Sequence, residues 1–406
     1  METSVHPGFP LPEAHQCPFG PAALSFRRAL PVQKVRCPSG IDAWLVTRAA
    51  EIRELLGDAE RFSNRPAPNT HLLTHIVPDS PAADGDFTRM DGEAHQRFRR
   101  LFGPELMSRA NLTRYEPVIQ RIVDNRIDSL AALDTPANLH EHFAQPVVAA
   151  VLAELFGIPP HHSEIIERTT SRALDTRATP EQTLEEQLPL IELMYGLVTE
   201  RRRSPGDDLL SKMLIRADGC DDPISDLELM AMAIILLVAG GDSTVSAFLS
   251  AIQALWDNPA QLAALRDAPT AIPLATEELI RYAAISLGGL RMATRRTELG
   301  DRTIESGDLI AAFLPAATWD PAHFPDPEHL DITRSGSGHL AFGYGAHLCP
   351  GRGLARMEIR IMLETILRRI PTLRPAGSPD ERRYRTHNVV LGPAVLPAAW
   401  DFVAPA

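Results

Sequence analysis

HLAFGYGAHLCPGRGLARMEIR, residues 339–360, joins a glycine-punctuated turn to a helix with one cysteine between them. Glycines at 343, 345, 351 and 353 let the backbone around Cys349 take left-handed or closely approached conformations that other residues resist. Beyond Gly351 the apolar positions Leu354, Met357, Ile361, Met362, Leu363 and Ile366 recur at helical spacing. A thiol in a tight loop at a helix N-terminus lies in the partial positive charge of the first turn, which favours the thiolate and suits a soft metal ligand. By composition alone, a cysteine in such a turn is more often a small buried hydrophobe.

A second stretch, 225–256, carries the strongest helical pattern in the chain. Ser225 and Glu228 form a capping box at its start. Unbroken, it would span roughly 46 Å, enough to cross a whole domain. Its centre, Ala239-Gly240-Gly241-Asp242-Ser243-Thr244, is poor helix material: two adjacent glycines cost on the order of 1–2 kcal/mol against alanine. A packing kink would account for them, and so would a functional opening.

Around these two stretches the pattern is mostly helical, with predicted helices over 50–56, 93–102, 111–133, 143–156, 163–173, 181–203, 274–282 and 354–369. A hairpin is expected from 32–35 and 43–47 across Cys37-Pro38-Ser39-Gly40. Strands are expected at 290–293, 297–299 and 309–313, and short ones over 389–396. The proline-rich segment 1–30 is read as surface chain, 64–90 as a long functional loop, and 319–334 as an aperiodic meander.

No linker, charge block or repeat divides the 406 residues, so one domain over 1–406 is expected. The net charge of −12 argues against a nucleic-acid surface. Nearly all positive charge is arginine, with Lys34 and Lys212 the only lysines, which weakens inference from any single arginine. Cys17, Cys37, Cys220 and Cys349 are far apart and no secretory segment precedes them, so reduced thiols and a cytoplasmic location are expected. The longest apolar stretch, 230–241, is too short for a bilayer, and no membrane anchor is expected.

Phe342-Gly343-x-Gly345-x-His347-x-Cys349-x-Gly351, followed by Leu354-Ala355-Arg356, closely resembles the haem-binding signature of the cytochrome P450 family. In that family the cysteine is the proximal thiolate ligand of haem iron, and thiolate donation favours O–O cleavage. Three further stretches resemble the family in the right order. Glu278-Leu279-Ile280-Arg281 is similar to its E-x-x-R core, whose third member falls at His329 in Pro327-Glu328-His329-Leu330. Ala239-Gly240-x-Asp242-Ser243 is similar to A-G-x-[D/E]-T, with serine at the usual threonine position and Thr244 as the second choice of alcohol. Asp91 to Arg99 is similar to D-x-x-x-H-x-x-x-R, supplying His95 and Arg99.

The resemblance implies a mainly α fold with small β-sheets, haem b (heme, iron protoporphyrin IX) lying between the long helix and the cysteine loop. Cys349 would ligate iron, Asp242 and Ser243 would manage protons beside Ala239 and Gly240, and His95, Arg99, Arg291 and His347 would hold the propionates. Buried propionates without cations would be costly. The implied reaction inserts one oxygen atom of O₂ into a small organic substrate, with electrons from NAD(P)H through ferredoxin reductase and ferredoxin, in a monomer. Arg352, Arg356 and Arg360 make a positive stripe on the side where an acidic ferredoxin would dock. Oxidative C–C or C–O coupling on the same fold, or haem-based sensing without turnover, are the rival readings. Ser286-Leu287-Gly288-Gly289 is small and hints at room for a bulky or multi-ring ligand, with His71, His75 and Asn388 among the polar groups of the substrate regions.

Overall fold

The computed structural model describes Pro7, residues 30–65, 84–173, 175, 177–385 and 388–406. His71, His75 and nearly all of 1–30 lie outside the described residues. The predicted hairpin is present as β1 (Val32–Arg36) and β2 (Asp42–Val46), followed by α1 (Ala49–Gly57) and β3 (Phe62–Ser63). Next come α2 (Gly92–Met107), α3 (Arg109–Thr113), α4 (Glu116–Ala131), β4 (Ala137–Asn138), α5 (Gln145–Phe156), α6 (Ser163–Arg172), α7 (Pro180–Arg203) and α8 (Leu209–Asp218). The single helix expected over 111–133 is two, because Pro117 has no N–H to give an earlier turn and instead starts α4. Pro146 acts in the same way: 140–144 is a π-helical turn and α5 begins at Gln145.

Helix α9 (Asp226–Asp257) is the axis of the molecule, followed by α10 (Pro259–Asp267) and α11 (Ile272–Ala283). Its capping box forms as expected: Ser225 Oγ accepts from the Glu228 N–H at 3.2 Å, and Glu228 Oε2 accepts from the Ser225 N–H at 2.8 Å. Though long and apolar enough to cross a membrane, α9 is a core helix, wrapped by α5, α6, α7, α11 and the later α13. Strands β5 (Gly288–Ala293), β6 (Thr297–Leu299), β7 (Arg302–Ile304) and β8 (Leu309–Phe313) precede α12 (Leu314–Thr318), α13 (Arg352–Arg369), β9 (Arg374–Pro375) and β10 (Pro397–Ala399). The main sheet has the order β1-β2-β8-β5-β3, with β2 and β8 parallel. Over 389–396 the expected strands reduce to isolated bridges, Ser286 with Val390 and Tyr384 with Pro393.

The Gly240-Gly241 pair does not interrupt α9. Gly241 is needed for close packing: a Cβ there would lie 2.6 Å from Thr170 Cβ on α6. Thr170 is buried and its hydroxyl is fixed to the Ile166 carbonyl at 2.8 Å, so it cannot turn aside. We expect Gly241→Ala to gain about 1 kcal/mol of helix propensity but to lose about 1–3 kcal/mol to overpacking. Chemical denaturation should therefore show a net loss, relieved by adding Thr170→Gly, which removes the Cβ that Gly241→Ala would meet. A plain gain in stability would contradict it.

Helix α13 buries an acid as well as apolar residues. Glu358 is 2% exposed, its Oε2 has no hydrogen-bond partner among the described residues, and burial pushes its carboxyl up to about 8. Between its ordinary 4.5 and about 8 the folded chain keeps a proton that the unfolded chain has released, so stability falls as pH rises through that window. Thermal unfolding at pH 5 and pH 8 should show that slope, and Glu358→Gln should flatten it; equal slopes in both proteins would refute the assignment.

Candidate active site

Cys349 sits half-buried between the 340–348 turn and the start of α13. Its N–H donates to the Phe342 carbonyl at 3.0 Å, and Gly343 N–H donates to Leu340 O at 2.8 Å. The glycines of this loop serve different ends. Gly345 has a left-handed φ of 71°, and a Cβ there would lie 2.2 Å from the Leu56 carbonyl, so α1 and the loop meet only because it has no side chain. Gly353 lies within α13, where a Cβ would fall 2.5 Å from Leu112 Cδ1. Gly351 is the N-cap of α13, with an ordinary φ of −79°.

The thiolate favoured by position alone is corrected by burial. Burial pushes the Cys349 thiol up, outweighing the opposing pull of the Gly351 and Arg352 N–H groups and of Arg352 and Arg99. A bound cation is what would offset that desolvation, since metal ligation deprotonates a thiol.

Four predicted donors converge beside the loop. His95 and His347, from α2 and the cysteine loop, stack with ring centroids 3.9 Å apart. Both are pushed down to about 4 by burial, with Arg99 adding to the effect at His95, and His95 and Arg291 adding to it at His347. Burial takes Arg291, on β5, down to about 10. Burial also lowers Arg99, which reaches over the loop to the Leu348 carbonyl at 3.2 Å. His95 Nε2 is buried without a hydrogen-bond partner among the described residues. Four desolvated donors whose proton affinity is depressed need an anion, so this set fits a buried dicarboxylate cofactor. The sequence missed two supports. Asn64 Nδ2 lies 3.4 Å from His347 Nδ1, and Asp91, held by Ser63 Oγ at 2.5 Å, lies 3.8 Å from His347 Nε2.

On α9, Ala239, Gly240 and Ser243 are at least partly exposed, whereas Thr244 is buried. Ser243 Oγ donates to the Ala239 carbonyl at 2.6 Å. Asp242 is 2% exposed and ion-paired with Arg385, and Asn388 Nδ2 lies 3.4 Å from its Oδ2. Burial pushes Asp242 up while Arg385 and Asn388 pull against it. Arg385 in turn touches His140 Nε2 at 2.6 Å, and burial with Arg385 holds that histidine down at about 4. Neither Arg385 nor His140 was singled out by the sequence; no local pattern links residues that far apart. Asn388, expected among substrate contacts, is engaged with Asp242 and the Val390 N–H.

Glu278 and Arg281 form a wholly buried fork, Nε to Oε2 at 2.7 Å and Nη2 to Oε1 at 2.8 Å. The third member is not His329, which is exposed and meets Arg334 only through its backbone carbonyl. Arg334 fills the role, donating from Nε to Glu278 Oε1 at 3.1 Å and from Nη1 to Pro325 O at 2.7 Å. The predicted positive stripe is also largely neutralised. Arg356 pairs with Glu277, and Arg360 with Glu116 and Glu364, along a groove of about 560 Å³ that Met107, Leu112 and Arg352 also line. Gly288 has a structural reason as well: a Cβ would lie 1.9 Å from Ala312 O in β8, so its smallness answers sheet pairing rather than ligand volume.

A mainly helical scaffold with a cysteine loop, a ring of anion-seeking donors and an acid–alcohol pair on the central helix defines the haem-thiolate class of oxidoreductase. The cytochrome P450 family model matches residues 161–395. Nocardicin C N-oxygenase of Nocardia uniformis subsp. tsuyamanensis is 34% identical over 94% of this chain and 98% of its own. Mycinamicin IV hydroxylase/epoxidase of Micromonospora griseorubida is 33% identical over 98% of this chain and 100% of its own. The crystal structure of CYP105P1 in complex with filipin I superposes with a TM-score of 0.89 at 37% identity, covering 98% of this chain and 99% of that one. The chain belongs to the cytochrome P450 family, and with that come an oxygenase activity and haem as the family's cofactor.

Proposed function

We propose that this chain is a haem-thiolate monooxygenase that hydroxylates or similarly tailors a secondary metabolite, with Cys349 as the iron ligand. The observation that carries the reading is the convergence of His95, Arg99, Arg291 and His347 beside Cys349, an arrangement whose desolvated donors call for a cofactor's carboxylates. When bound, haem supplies the activation of dioxygen for transfer of one oxygen atom to substrate. The chain's own residues do the rest. The four donors fix the cofactor's acidic edge, Arg385 and Asn388 orient Asp242, and Ser243 presents a hydroxyl one residue beyond that acid. Electrons would come from NAD(P)H through ferredoxin reductase and ferredoxin, the latter seated on the groove beside Arg352. The relatives named for nocardicin C and mycinamicin IV, and the neighbour holding filipin I, favour a natural product as substrate.

A carbon monoxide difference spectrum of the reduced protein tests the ligand, and a library screen for spin-state shifts then finds substrates. NAD(P)H-dependent product with redox partners separates an enzyme from a sensor. Between the two alcohols, Ser243 is the one on the accessible face. We expect Ser243→Ala to lower product per NAD(P)H on the order of tenfold, below the full ~10²-fold or more attached to a general acid. Thr244→Ala should leave that ratio unchanged; the reverse ranking would reassign the role.

A further inference from the structure

From the site outward, α9 carries a polar line, buried from Asp242 to Gln253 and ending at the exposed Asp257. Asp242, Ser246, Ser250, Gln253 and Asp257 are spaced four, four, three and four apart, which places them on one helical face. Ser246 and Ser250 are 0% exposed, and neither hydroxyl has a hydrogen-bond partner among the described residues. Serine in a helix can satisfy itself on the carbonyl four residues back, as Ser243 does. These two do not. A buried hydroxyl left unsatisfied costs about 1–3 kcal/mol, and ordered water is the usual remedy.

The C-terminal residues 382–385 and 388–393 lie along the same face. Arg385 and Asn388 hold Asp242, and Gly392 abuts Ser246, where a Cβ would lie 3.2 Å from Oγ. Tyr384 OH accepts from Gln253 Nε2 at 2.5 Å, and Arg382 pairs with Asp257 at 2.6 Å on the outer rim. The segment is closed on itself by the Arg385 N–H to Gly392 O bond at 3.0 Å. Side chains four apart on a helix stand about 5–6 Å from each other. That is the span of two O···O hydrogen bonds of about 2.8 Å each, the length that a single bridging water would close.

We propose that the seam between α9 and residues 382–385 and 388–393 is a hydrated proton path from the Asp257–Arg382 rim to Asp242, with the Ser246 and Ser250 hydroxyls as its fixed links. The proposal rests on the oxygenase reading, because that reaction consumes protons at the centre of α9. In each transfer a water or hydroxyl takes a proton on a lone pair and passes its own O–H proton inward. Asp242 gives one proton and is refilled, no electron moves along the seam, and the links end unchanged. Tyr384 OH, a donor and acceptor, joins Ser250's end of the line to the rim, and Gln253 positions it.

The test uses haem-loaded wild type, Ser246→Ala, Ser250→Ala and the double variant with a heterologous ferredoxin and reductase and no added substrate. Oxygen then leaves either as peroxide, taking two electrons and two protons, or as two waters, taking four of each. The variants should raise the peroxide share several-fold, less than the ~10²-fold loss of a proton donor itself, and should increase the solvent deuterium isotope effect on NAD(P)H oxidation. Their thermal stability should change little, since each hydroxyl's partner is water rather than another protein group. A high-resolution crystal structure should show water between Asp242, Ser246 and Ser250. An unchanged peroxide share and isotope effect alongside a normal carbon monoxide band overturns the path alone, as does a dry seam. A wild type without the thiolate band overturns the oxygenase reading and the path with it.

Discussion

Cys349→His removes the thiolate-type carbon monoxide band and abolishes NAD(P)H-dependent oxygenation, while the helical fold survives. The fold survives because the loop is held by its backbone: Cys349 N–H to Phe342 O at 3.0 Å, Leu348 N–H to Gly345 O at 3.1 Å, and Gly345 against Leu56. None of these bonds uses the sulfur. Oxygenation is lost because neutral imidazole donates far less charge to iron than thiolate does. The loop is otherwise unsuited to an anion, since burial alone pushes the thiol up. Circular dichroism, haem content and the carbon monoxide spectrum read the three parts separately. A thiolate band persisting in Cys349→His would sink the ligand assignment.

Glu278→Ala is expected to cost about 3–5 kcal/mol, the usual penalty for leaving a buried charge without its partner. Against a total stability of about 5–15 kcal/mol, that removes a large share, and at the lower end of the range nearly all of it. The reason is concentration of charge on one carboxylate. Arg281 gives it two bonds, Arg334 one, and the Asp331 N–H another at 3.2 Å. Arg281 also ties α11 to the Thr318 carbonyl at 3.0 Å and stacks over Phe324. Arg334→Ala should cost less, about 1.5–3 kcal/mol, the value of a hydrogen bond to a charged group. His329→Ala should stay within about 0.5 kcal/mol, as for an exposed residue outside any network. Denaturant midpoints for the three variants give the order directly, and a His329 variant as damaging as Arg334→Ala would return the third position to the histidine.

Much of the site was legible in the sequence because its parts are local. The cysteine loop is one run of residues, the Glu278–Arg281 fork is one helical turn, and His95 with Arg99 is another. Spacing within a turn fixes which side chains share a face, so those groups needed no tertiary information. The α9 capping box was readable on the same ground. The divided helices near 111–133 and 140–156 were readable too in principle, since Pro117 and Pro146 mark where each new helix starts.

What the sequence could not supply was partnership across the fold and the balance of burial against charge. Arg334 rather than His329 meets Glu278 because the meander doubles back, bringing its Asp326 and His329 carbonyls under the guanidinium. Asp242 is paired with Arg385 from a segment more than a hundred residues away. Gly241 read as either a packing kink or a functional opening and Gly288 as room for ligand, yet each answers a neighbour, Thr170 on α6 and Ala312 on β8. The sequence by itself determined which residue types stand together on each helical turn, and hence the family and the cysteine. Only the tertiary structure decided which charges meet and how far each is desolvated, because those depend on distances between segments that chain spacing does not encode.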